Sequence, residues 1–123
     1  MLDDAELVED FITEASERLD RVADSALAAE EGDPGAWADL RREIHTLKGA
    51  AGFVGYDEFS ELCHDLEEYL LAADASNDFD IVHDSCDILR KLTDGLERCL
   101  RTQSEVKAYP EVKRLRTRLR AAS

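Results

Sequence analysis

The chain has 123 residues, 29 of them acidic and 15 basic, for a formal charge of −14. That balance disfavours nonspecific attraction to nucleic-acid phosphates or anionic lipid, and no window offers the roughly 18 uninterrupted apolar residues of a membrane helix. A hydrophobic content of 44% at this length predicts one domain with a real core rather than a disordered acidic tail. The acidic start Met1-Leu2-Asp3-Asp4-Ala5-Glu6 is unlike a signal peptide, so a soluble, cytoplasmic protein is expected.

Apolar spacing of three and four predicts five helices and no strand. The first carries Val8, Phe11, Ile12, Ala15, Leu19, Val22 and Ala26 on one stripe and stops at Gly32. Asp33-Pro34 predicts the start of the second, with Asp as cap and Pro as first helical residue. Its stripe is Trp37, Leu40, Ile44, Leu47 and Ala51, ending between Gly52 and Gly55. The third holds Phe59, Leu62, Cys63, Leu66 and Leu70 and fades in the polar stretch 74–78. The fourth has Ile81, Ser85, Ile88, Leu92, Leu96 and Cys99. The fifth, opened by Pro110, sets Val112, Leu115 and Leu119 among Lys113, Arg114, Arg116, Arg118 and Arg120.

Amphipathic helices joined by short connections bury their stripes against one another. The expected fold is therefore all-α, a single domain over 1–123: an antiparallel up-down four-helix bundle over about 4–102, with a basic helix appended over about 109–121. Charge follows this division. Residues 1–31 hold 11 acidic and 2 basic side chains, whereas residues 101–123 hold 2 and 7. Cys63, Cys86 and Cys99 lack any metal-ligand spacing and are expected to be small buried residues.

The polar residues that do not fit a plain surface lie on the second and third helices. His45, Lys48, Gly49 and Gly52 share one face. Each glycine in a helix interior costs about 1 kcal/mol relative to Ala, and bare backbone beside an imidazole lets another protein approach it. Glu61, His64 and Glu67 share a face of the third helix, and antiparallel neighbours bring His64 and Glu67 opposite His45. A neutral imidazole is a nucleophile, and a carboxylate on its other nitrogen fixes the tautomer and stabilises the cation formed on attack. Glu67 is placed for that task and Lys48 for holding phosphoryl oxygens. The chain has no phosphate loop, no nucleotide-binding βαβ unit and no Asp cluster for magnesium. Nucleotide and metal must come from elsewhere.

The run His45-Thr46-Leu47-Lys48-Gly49-Ala50-Ala51-Gly52-Phe53-Val54-Gly55 closely resembles the HxxKG motif of histidine-containing phosphotransfer (HPt) domains. His64-Asp65-Leu66-Glu67 is similar to the HxxE of the N-terminal phosphotransfer domain of CheA-type chemotaxis histidine kinases, and Phe11-Ile12-Thr13-Glu14-Ala15 with Glu17-Arg18-Leu19 resembles that family's first helix. The resemblance implies that His45 is the phosphoacceptor, charged by a histidine kinase catalytic domain and discharged onto an aspartate of a response-regulator receiver domain. It further implies that Glu67 orients the ring, that Lys48 and His64 support the site, and that Gly49 and Gly52 lie on the docking surface. ATP and Mg2+ would be supplied by the partner domains, the domain itself holding no cofactor or metal and acting as a monomer without nucleic-acid or membrane partners. Such a module has no complete active site of its own and belongs to a histidine protein kinase if it is the first domain of a longer chain, which the opening favours. One departure bears on partner preference: Leu40-Arg41-Arg42-Glu43 precedes Ile44-His45, where many relatives have a Phe-Arg pair.

Two alternatives use the same residues differently. Glu61-Leu62-Cys63-His64 is a Glu-x-x-His of the kind that binds metals in four-helix bundles, but the segments that would supply its partner, ending at His45 and His83, carry Arg or Asp in place of the Glu. A non-catalytic adaptor bundle would use the basic fifth helix to dock an acidic partner.

Overall fold

The computed structural model describes residues 4–72 and 78–122. Five helices follow in order, α1 (Ala5–Glu30), α2 (Ala36–Val54), α3 (Asp57–Ala72), α4 (Phe79–Thr102) and α5 (Pro110–Ala122). The opening residues Met1 to Asp3 and most of the polar stretch expected to end the third helix, residues 74–77, lie outside the described residues. No helix among the described residues is long and apolar enough to cross a membrane.

Local chemistry sets the helix ends. Asp4 caps α1, its carboxylate accepting from the backbone N–H groups of Glu6 and Leu7 at 3.1 and 3.2 Å. The α2 start differs from the Asp33-Pro34 expectation. The Asp33 carboxylate closes a turn by accepting from the Gly35 N–H at 3.0 Å, so the helix begins two residues later, at Ala36 behind Gly35. At the other end Gly55 takes φ 81°, and Tyr56 and Gly55 donate to the carbonyls of Ala51 and Gly52. This left-handed closure needs only Gly55 and Tyr56 between α2 and α3.

Contacts along the helices establish an antiparallel up-down bundle. Arg18 and Arg21 of α1 reach Glu43 of α2, while Leu7 and Phe11 sit beside Phe53 and Val54. Arg90 and His83 of α4 meet Asp20 and Glu30 of α1. Phe11 and Phe59 meet edge-on at 5.2 Å in the core, and the Trp37 indole donates to the Leu70 carbonyl at 3.1 Å. Every residue of the first and third predicted stripes is buried. The α4 face is broader than predicted. Ile88 is only half-buried, whereas Val82, Cys86, Leu89 and Thr93 are buried, because α4 is covered by both α1 and α5. Cys99 is likewise half-buried, its thiol donating to the Glu105 carbonyl at 3.3 Å, unlike buried Cys63 and Cys86.

The fifth helix is more than an appendage. It runs parallel to α3 and antiparallel to α4, with Tyr109 near Glu58, Arg116 on Asp65 and Arg118 on Asp84. Val112, Leu115 and Leu119 enter the common core. Burying each gives about 1.5–3 kcal/mol as an upper estimate, more than the ion pairs on its exposed side supply. Gly95 leaves room for Tyr109, just before α5: a methyl group at Gly95 would collide with the Tyr109 hydroxyl. Clamping α3 from behind, α5 leaves the α2–α3 seam open to solvent.

Candidate functional site

His45 stands at the middle of α2, one residue past buried Ile44 and two before buried Leu47. The stripe thus fixes the backbone under His45 while the side chain stays 67% exposed. Across the seam, Glu67 follows buried Leu66 on α3 and is only 14% exposed. Its Oε2 lies 2.6 Å from Nδ1 of His45 and its Oε1 2.5 Å from Nζ of Lys48. Burial acts to raise the Glu67 carboxyl, but the hydrogen bonds from Lys48 and His45 outweigh it and hold it below the usual carboxylate range. An ionised carboxylate only accepts hydrogen bonds, so the proton between it and the ring belongs to Nδ1. In the neutral ring this leaves the lone pair on Nε2, which makes no hydrogen bond among the described residues. The arrangement is an oriented, exposed nitrogen nucleophile backed by a half-buried anion.

The two glycines differ in their surroundings, and neither is required by packing inside the domain. A methyl at Gly49 would meet nothing within 4 Å, and one at Gly52 would meet only the Ser60 hydroxyl at 3.6 Å, an ordinary contact. The Ser60 hydroxyl itself donates to the Lys48 carbonyl at 3.1 Å, tying α3 to α2 one turn beyond the histidine. Beyond Gly52 the surface turns apolar. Phe53 is 77% and Leu7 39% exposed, bordering a groove with Asp10 and Glu14 on its rim. Ser60 and Phe53 were not singled out from the sequence. Ser60 gives no signal there, whereas Phe53, a large aromatic off its helix's apolar stripe, does.

His64 does not join the cluster. It is exposed on α3, one turn before Glu67, and forms no hydrogen bond among the described residues. Glu61, its proposed companion in a metal site, instead accepts from Arg116 at 3.4 Å, and His83 pairs with Glu30 at 3.0 Å at the far end of α4. Among the described residues no three His, Cys, Asp or Glu side chains are grouped to hold a metal ion. The Glu-x-x-His spacing is met along α3, but α5 occupies its carboxylate.

Residues 6–123 match the model of the Hpt domain family. The chain belongs to that family. As an Hpt domain it is 33% identical over 110 residues to the chemotaxis protein CheA of Halobacterium salinarum, an alignment covering 87% of this chain and 16% of that protein. It is 35% identical over 89 residues to the CheA of Bacillus subtilis, covering 71% of this chain and 13% of that one. The chain thus spans less than a fifth of the length of either relative. Among solved structures, the phosphorylated P1 domain of CheA3 from R. sphaeroides, in complex with CheY6, has the same fold. The TM-score is 0.73 at 23% identity over 97% of this chain and 99% of that one.

Proposed function

We propose that this Hpt domain is a phosphocarrier of a chemotaxis-type relay, with His45 as its phosphoacceptor. The observation that carries the reading is the pairing of Nδ1 with Glu67, which makes Nε2 the free nitrogen of the neutral ring on a side chain that is 67% exposed. The Nε2 lone pair forms the new P–N bond as the bond from phosphorus to the leaving ADP oxygen breaks, that oxygen keeping its electron pair. The positive charge on the phosphorylated ring is then borne at Nδ1–H against Glu67. Transfer onward reverses the logic: the P–N bond breaks as a carboxylate oxygen of an aspartate attacks phosphorus, and the ring regains its lone pair. Lys48, bound to Glu67, keeps that carboxylate ionised through the cycle.

The partners follow from what the chain lacks. A histidine kinase catalytic domain supplies ATP and Mg2+, and a response-regulator receiver supplies the aspartate, as the pairing of the R. sphaeroides P1 domain with CheY6 supports. Similarity to a part of much longer CheA proteins supports membership of a cytoplasmic kinase chain, and in this reading the domain acts as a monomer whose one phosphoacceptor histidine serves two partners in turn. The bare Gly49 and Gly52 backbone and the exposed Phe53 continue the His45 face of α2 and form its docking surface. His64, exposed on α3 one turn before Glu67, is in this reading a support of the site and not a partner of the ring. Labelling tests the reading: a CheA kinase domain with labelled ATP should place one acid-labile, base-stable phosphoryl group on the domain. His45→Gln should abolish it, and label that survives this substitution overturns the assignment.

A further inference from the structure

A depression of about 420 Å3 opens between α2 and α3 beside His45, bordered by Arg41, Arg42, Thr46, Glu67 and Leu71. Helical side chains lean toward the helix N-terminus. The His45 ring therefore leans toward the turn of Arg41 and Arg42 and lines this depression together with them.

The cations around it are not equivalent. Lys48 is committed to Glu67, and Arg42 is paired with Asp39. Arg41, one turn before His45 and within the segment that departs from the family pattern, has no ion-pair partner among the described residues. Its Nε is buried and without a hydrogen bond. The charges lining the cleft otherwise cancel in pairs, so an incoming phosphoryl dianion meets one uncompensated positive group. A guanidinium presents parallel N–H donors matched to two phosphoryl oxygens.

We propose that Arg41 is a second phosphoryl-binding cation of this site, its guanidinium holding the oxygens of the group carried on Nε2 of His45 while Lys48 stays with Glu67. The proposal rests on the phosphocarrier reading. It assigns separate tasks to the two cations: Lys48 maintains the anion behind the ring, and Arg41 neutralises the charge in front of it.

Phosphoramidate tests this without any docking partner. Its P–N bond breaks with loss of ammonia as the His45 Nε2 lone pair bonds to phosphorus. The domain, Arg41→Ala, Arg41→Lys and, as a control on the far side of the bundle, Arg90→Ala are incubated with the donor and followed by phosphorus NMR. Arg41→Ala should lower the initial rate and the equilibrium constant of phosphorylation by about fivefold to tenfold, the scale of one hydrogen bond. It should also shift the phosphohistidine resonance. Arg41→Lys should recover part of both effects, and Arg90→Ala should behave as the parent. Labelling of Arg41→Ala at the parent rate and extent, with an unmoved resonance, overturns the proposal. So does a loss of label that merely tracks the melted fraction. If Arg41→Ala does not fold, the neutral Arg41→Gln makes the same comparison with the stem retained. Failure of the parent domain itself to take phosphoryl at His45 would instead refute the phosphocarrier reading, and the two failures are thus distinguishable.

Discussion

Two carboxylates two residues apart on α3 show how one helix serves opposite ends. Asp65 faces α5, is almost fully buried, and is held by Arg116 at 2.6 Å and Arg120 at 3.7 Å. Glu67 faces α2 and is held by Lys48 and His45 at similar distances. Each anion has two basic partners, but around Asp65 both are arginines, permanently charged groups with no chemistry to offer. Around Glu67 one partner is an imidazole whose second nitrogen faces solvent. The first arrangement fixes where α3 lies; the second uses that fixed helix to aim a nucleophile.

Removing each anion should separate the two roles. Asp65→Ala leaves Arg116 with only the exposed Glu61 as partner, and losing its charge-assisted hydrogen bond to a buried carboxylate should cost about 1.5–2 kcal/mol, readable as a lowered midpoint in urea. Glu67→Ala removes a more exposed contact and should cost under about 1 kcal/mol. It should nevertheless slow phosphoryl transfer from a kinase by ~10- to 100-fold, because the ring loses its orientation and tautomer. A Glu67 variant that transfers at the parent rate, or an Asp65 variant as stable as the parent, would erase the distinction.

The helical stripes and the His45–Glu67 partnership were legible because both are periodic. Residues at i, i+3, i+4 and i+7 share a face whatever surrounds them, and short connections make successive helices neighbours. What escaped depends on contacts between segments distant in the chain. That α5 enters the core follows from Gly95 leaving room for Tyr109 and from Asp65 lying opposite Arg116, pairings 14 and 51 residues apart that no local pattern reports. The shift of the α4 stripe from Ile88 toward Leu89 has the same origin, since a helix covered on two sides buries more than one stripe. His64 fits the spacing as well as Glu67 does, yet only the structure distinguishes the residue at the seam from the one a turn away in solvent.

The glycines extend the contrast between a region built for stability and one built for access. Neither Gly49 nor Gly52 is held by packing, so Gly49→Ala should stabilise the domain by about 1 kcal/mol, the difference in helix propensity, with a correspondingly higher thermal midpoint. Transfer to a receiver should slow in the same variant if the methyl obstructs docking, while labelling by phosphoramidate stays at the parent rate. A stabilised variant with unchanged receiver transfer would show that the bare backbone serves no docking role.

The smallest expected effect is in the pH dependence of stability, because α3 carries two contributions of opposite sign. Glu67 is held below its ordinary value of 4.5, so its stabilisation is complete above that value and is lost as pH falls through the lower folded value. Glu58, at the start of α3, is pushed the other way. Burial raises its carboxyl, and the hydrogen bond from the Tyr109 N–H offsets this only in part. Its ionisation therefore penalises the folded state at neutral pH, and the penalty is relieved as pH falls through the raised folded value. The two changes occur on opposite sides of pH 4.5 and partly cancel in any global melting curve. Site-resolved carboxyl NMR separates them. Glu67 should titrate below the ordinary value together with a shift of the His45 ring signals, and Glu58 should titrate above it with the signals of Tyr109. A Glu67 that titrates at or above 4.5 would mean that Lys48 and His45 do not stabilise its ionised form, and the contact that orients the His45 ring would lose its support.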